Sequence, residues 1–163
     1  MNSAKRSHRL LLLACLLLLL TSAGCGDTTS SRIAGLTKHN VRKMAIMYKV
    51  YSDSNQFTGP ESAEQLKLWV QSDGNIKTRL SKFGIDVDEF DSYLISDRSG
   101  EELEILWGIK SSPMAPPYPV AIDAKPIDGI RLVGMAGGST LEIDNDEDYE
   151  KIKSGKYKAK DAN

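Results

Sequence analysis

Near Asp86 the spacing of apolar residues changes, and no other feature of the 163-residue chain narrows its possible folds as much. Before that point Val41, Met44, Ala45, Tyr48 and Tyr51 recur three or four apart, while Lys38, Arg42, Lys43 and Lys49 fall off the stripe. This spacing predicts an amphipathic helix from about Ala34 to Tyr51. Its Met and Tyr stripe suits core packing, with a ligand groove as the less common use. Gly59-Pro60 breaks the chain, and Ser62-Ala63-Glu64-Gln65 reads as a capping box. The box opens a second helix in which Leu66, Trp69 and Val70 share a face, and a third helical turn around Ile76, Leu80 and Phe83 runs to Gly84.

After Asp86 the repeat shortens. Tyr93-Leu94-Ile95 is a short predicted strand, followed by the turn-like Ser96-Asp97-Arg98-Ser99-Gly100. Leu103, Ile105 and Trp107 alternate as in a strand with a buried face. The stretch Ser111 to Pro119 holds four prolines, Pro113, Pro116, Pro117 and Pro119, and is expected as a loop because proline cannot donate to a sheet ladder. Val120 to Ile122 is a further strand. Ile130–Val133 and Thr140–Ile143 flank a Gly137-Gly138 turn in a hairpin pattern, and a last helix is expected over Asp146–Lys153, ending before Gly155. Helices come first and neighbouring strands follow, with no length for crossover helices. The predicted class is α+β: amphipathic N-terminal helices, a small antiparallel sheet and a short C-terminal helix.

The start of the chain has a different grammar. Lys5, Arg6 and Arg9 precede an apolar run from Leu10 to Leu20, and small residues follow it. A basic start, a short apolar middle and a small-residue end describe a secretory signal over residues 1–24. The run is shorter than the roughly 20 residues needed to span a bilayer. The junction Ser22-Ala23-Gly24-Cys25 resembles the lipobox of bacterial lipoproteins, which implies acylation of the Cys25 thiol. Ser22 and Gly24 also meet the small-x-small requirement of ordinary cleavage, which would leave Cys25 as a free thiol. Cys15 is the other cysteine of the chain and leaves with the signal. No disulfide or cysteine-based metal site is then expected, and stability must come from one hydrophobic core. The expected layout is a lipid-anchored tether over 25–32, a single domain over 33–155 and a lysine-rich tail over 156–163.

Charge and composition limit the partners. The chain has 21 Lys and Arg against 22 Asp and Glu, and it becomes more acidic once Lys5, Arg6 and Arg9 are removed. Without a basic face, nucleic acid is not an expected partner. His39, expected on the polar side of the first helix, is the histidine left after His8 goes with the signal, so zinc and Ser–His catalysis lose their usual ligands and base. Asp144, Asp146 and Asp148 alternate as in a calcium loop. Tyr149 and Gly155 stand where such a loop needs Gly and Glu, so these acids read as a helix start. Asp86, Asp88, Glu89 and Asp91 lack the loop glycine too. Gly134 to Gly138 has no following Lys-Ser/Thr and reads as a turn, not a phosphate loop. No catalytic residue, metal or cofactor is expected.

The order of these elements, with Ser-Asp-Arg-Ser-Gly before a strand and Asp-Gly-Ile-Arg-Leu-Val ahead of Gly-Gly-Ser-Thr-Leu-Glu-Ile-Asp, resembles a group of small exported bacterial proteins of unknown function. The terminal hairpin is similar to that of the pseudopilin-like H-x9-DG proteins of type II secretion. Two roles follow as expectations. The first is a noncatalytic lipoprotein of the cell envelope, binding or scaffolding a partner, with Met114 and Tyr118 of the proline-rich loop offered to it. Gly26 after the cysteine, in place of aspartate, favours an outer membrane where the cell has one. The second is an assembly subunit that self-associates through the Met44–Tyr48–Tyr51 face.

Overall fold

In a computed structural model of the chain, residues 38–110 and 118–154 are described, and all of them belong to the unit Gly35–Asn163. The expected signal, Cys25 with its tether, most of the proline-rich loop and the lysine tail lie outside the described residues. The described elements are α1 (Asn40–Ser54), α2 (Ala63–Ser72), α3 (Gly74–Ser81), a 3-10 helix (Val87–Leu94), β1 (Glu104–Ile105), β2 (Pro119–Ile122), β3 (Arg131–Met135), β4 (Thr140–Ile143) and α4 (Asp146–Lys153). The strands form one antiparallel sheet in the order β1-β2-β3-β4. The fold is α+β.

Helix α1 lies against β2 and β3 on one face of the sheet and also meets α2 and the 3-10 helix. Val41, Met44 and Met47 are fully buried on it, and Tyr48 nearly so. Full burial of such a side chain contributes about 1.5–3 kcal/mol, so packing holds this helix where propensity would not. Gly134 lets it approach, since a Cβ there would stand 2.7 Å from the Val41 carbonyl and 2.8 Å from Ala45 Cβ. The opposite face of the sheet offers Ile122, Val133, Met135 and Ile143, which pack with Tyr149 and Ile152 of α4. A register shift between Pro119 and Ala121 marks a β-bulge. Val120 and Ala121 both pack on the helical side, with Ala45 and Tyr48 and with the main core respectively.

Several expectations are corrected. Helix α1 begins at Asn40, because His39 is extended and serves as its N-cap. Tyr93-Leu94-Ile95 is not a strand: Tyr93 and Leu94 end the 3-10 helix, and Ile95 makes an isolated bridge with Glu102. The reason is a repeat of three, since Val87, Phe90 and Tyr93 are the buried residues of that helix. The strand expected across Leu103–Trp107 shrinks to Glu104–Ile105. Pro119 is not a loop residue but the buried first residue of β2, a position where a missing N–H costs little. The Met44–Tyr48–Tyr51 face is spent on the core, with Met44 fully buried and Tyr51 only 7% exposed. It presents no surface for self-association.

Candidate functional site

Ser96, Asp97 and Arg98 reach three separate parts of the fold from one turn. Ser96 Oγ donates to Asp123 Oδ1 at 2.7 Å, and Arg98 Nη1 pairs with Asp123 Oδ2 at 2.8 Å. The carboxylate of Asp123, at the end of β2, also accepts from the Leu132 amide at 3.2 Å and is fully buried. Arg98 further donates to the carbonyls of Ile130 and Ile127 at 3.2 and 3.1 Å. Those two residues close a tight hairpin over Asp128 and Gly129, whose φ values of 52° and 77° match a two-residue turn of the primed kind. Both oxygens of this buried carboxylate are engaged, by a hydroxyl on one side and by a guanidinium and an amide on the other, so its charge is compensated inside the fold.

Asp97 points the other way. It accepts from His39 Nδ1 at 2.7 Å and from the Asn40 amide at 2.8 Å, while Asn40 Nδ2 donates to the carbonyls of Ser92 and Ile95. Burial alone would raise the Asp97 carboxyl; the bonds from Asn40 and His39 outweigh it and hold the group below its ordinary value. A carboxylate on the Nδ1 of a histidine is the orienting half of a nucleophile system. Among the described residues, no hydroxyl or thiol is hydrogen-bonded to that histidine. The geometry of the pair is that of a fastening between the start of α1 and the turn at Asp97.

Near the middle of α1 the surroundings are largely apolar. Tyr48 Oη accepts from the Ile109 amide at 2.9 Å, and its ring stacks on Trp107 with centroids 6.5 Å apart. Gly59 lies flat on the phenol, where a Cβ would come within 2.0 Å of the hydroxyl oxygen. Burial pushes the Tyr48 hydroxyl up to about 12 against the lowering effect of the Ile109 bond. On the opposite face of the sheet Tyr149 donates to Glu104 at 2.6 Å, and the Arg131 guanidinium sits 3.9 Å over its ring. Burial, then the Glu104 bond, raise the Tyr149 hydroxyl as well.

The residues singled out by sequence are dispersed. His39 lies ahead of α1, not on it, and is tied to Asp97. Asp144, Asp146 and Asp148 surround the start of α4, where Asn145 caps by accepting from the Asp148 amide at 2.8 Å. Asp86 caps the 3-10 helix, Asp88 faces Lys77, Asp91 pairs with Lys67, and Glu89 accepts from Tyr93. Among the described residues no three His, Cys, Asp or Glu side chains are grouped to hold a metal ion. Gly138 makes the hairpin turn with φ of 79°, whereas Gly134 lies within β3 beneath α1. Tyr118 is 39% exposed, and its carbonyl accepts from the Ala136 amide; Pro113, Met114, Pro116, Pro117 and Cys25 lie outside the described residues. Sequence reasoning missed Asp123. The available signal was an acid set directly after the apolar run Val120-Ala121-Ile122, where a strand would be expected to continue its burial.

No known family, curated protein or solved structure matches the chain.

Proposed function

We propose that the chain is an exported lipoprotein of the cell envelope, held at a membrane by lipids on Cys25, that binds or scaffolds a partner without catalysis. One observation carries this reading: the apolar run Leu10–Leu20 ends in Ser22-Ala23-Gly24-Cys25, in a chain whose remaining cysteine, Cys15, lies inside that run. A single thiol at the end of a signal, with no partner for a disulfide, has its simplest use as an acylation point. Each buried CH₂ adds about 0.8 kcal/mol, so two or three acyl chains make the attachment effectively permanent. The binding role is assigned to the segment that ends at Tyr118, because its prolines restrict the backbone and lower the entropy lost on capture.

The test is metabolic labelling with an alkyne palmitate analogue and membrane fractionation of wild type and Cys25→Ser. Wild type is expected to take up label and sediment with membranes, and the variant to lose the label and either leave the membrane or persist as precursor. A variant processed normally and retained at the membrane overturns the proposal.

A further inference from the structure

The first turn of α1 is poorly equipped by its own sequence. His39, its N-cap, makes no side-chain capping bond, no acidic residue occupies the first turn, and Arg42 and Lys43 stand close to the positive end of the helix dipole. The missing parts come from a distant segment. Asp97 supplies both the anion and the acceptor for the Asn40 amide, and the carbonyls of Ser92 and Ile95 hold the Asn40 side chain. With the His39 bond, these contacts join positions 52 to 58 residues apart. On its other side the same turn is bolted to the sheet through Ser96, Arg98 and Asp123.

We propose that Asp97 is a latch that keeps the anchor-side start of the fold closed and so shields the basic residues Arg42 and Lys43 from proteolysis. Cleavage after either residue requires the turn to unwind, and proteolysis of a transiently open segment follows the population of the open form. Arg42 is itself half-buried against the fold. Asp97 thereby sets how often the chain can be cut inside the first turn of α1. On the lipid-anchor reading, that cut releases the domain from the membrane; the latch itself does not depend on the lipid.

The test uses the full chain, with trypsin and mass spectrometry of the first products, and with hydrogen exchange of Asn40–Ile46 compared with Leu132–Met135. Losing a charge-assisted bond at a helix start is expected to raise opening about tenfold. Asp97→Ala should therefore be cut after Arg42 and Lys43 about tenfold faster, with matching loss of protection at Asn40–Ile46 and little change in β3. A cutting rate within about twofold of wild type overturns the latch, as does an equal rise across helix and sheet, which would report global unfolding. Should Asp97→Ala fail to fold, Asp97→Asn decides, because it keeps an acceptor for the Asn40 amide and loses the charge. A rise of about threefold confined to the first turn supports the latch, and no rise overturns it. None of these readings involves membrane attachment, so they stand apart from the Cys25 result.

Discussion

The start and the middle of α1 are secured by opposite means. At its start, His39 and Asn40 are held by a carboxylate and two carbonyls from residues 92–97, and that segment is tied through Arg98 to the buried Asp123. At its far half, Tyr48 is clasped between Gly59 and Trp107, with one amide hydrogen bond to its hydroxyl. The start depends on a carboxylate that stays charged, the middle on shape and on a phenol that stays neutral. A single helix can thus carry an acid-sensitive and an alkali-sensitive fastening, and each can be loosened without touching the other.

The largest expected effect lies on the polar side. Asp123→Ala strips the carboxylate from Ser96, Arg98 and the Leu132 amide, leaving a guanidinium largely buried without its counter-ion. Breaking such a pair costs about 3–5 kcal/mol, which urea denaturation at neutral pH would measure. A loss below about 1 kcal/mol would break the comparison, since the polar side would then be ornamental. Next comes Tyr48→Phe, which deprives the Ile109 amide of its acceptor and should cost about 1–2 kcal/mol. It has a pH signature too. The Tyr48 hydroxyl is raised from 10.0 to about 12 in the fold, so its contribution is fully present below pH 10 and is lost as pH climbs towards 12. The variant should lack that part of the alkaline decline, as followed by the denaturation midpoint across the same range. The smallest effect belongs to Asp97→Asn, under about 1 kcal/mol at neutral pH because the wild-type carboxylate is 35% exposed and screened. Its carboxyl is lowered in the fold, so the wild-type advantage holds above the ordinary carboxylate range and fades as pH falls through the depressed value. Melting both proteins at neutral and acid pH checks the sign, and an advantage that grows in acid would contradict it.

What could be read beforehand tracks this same division. Repeating apolar positions announced α1 and α2, Ser62 and Gln65 announced the cap of α2, and α4 has the bounds expected for it, Asp146–Lys153. The Gly137-Gly138 hairpin was equally visible, because a turn and its flanking strands lie together in the chain. The 3-10 helix was misread because three consecutive apolar residues, Tyr93-Leu94-Ile95, outweighed the repeat of three running through Val87, Phe90 and Tyr93. The site was hidden for a different reason. Asp97 and Asp123 gain their roles from His39, Asn40 and Arg98, and spacing along a sequence carries no signal for pairs formed across a fold. The reading of Cys25 needs no folded context, because export signals lie along the chain.

The borrowed cap at Asn40 also has a consequence in time. Asp97 stands 57 residues beyond the amide it caps. A chain that emerges from its N-terminus delivers the start of α1 long before it delivers the group that completes it, and closing so long a loop costs entropy in advance. The first of the described helices to appear therefore waits for a later segment to finish its beginning. While the rest is still being threaded, that end stays pliable, and the protein's entry point sets only when its middle has arrived.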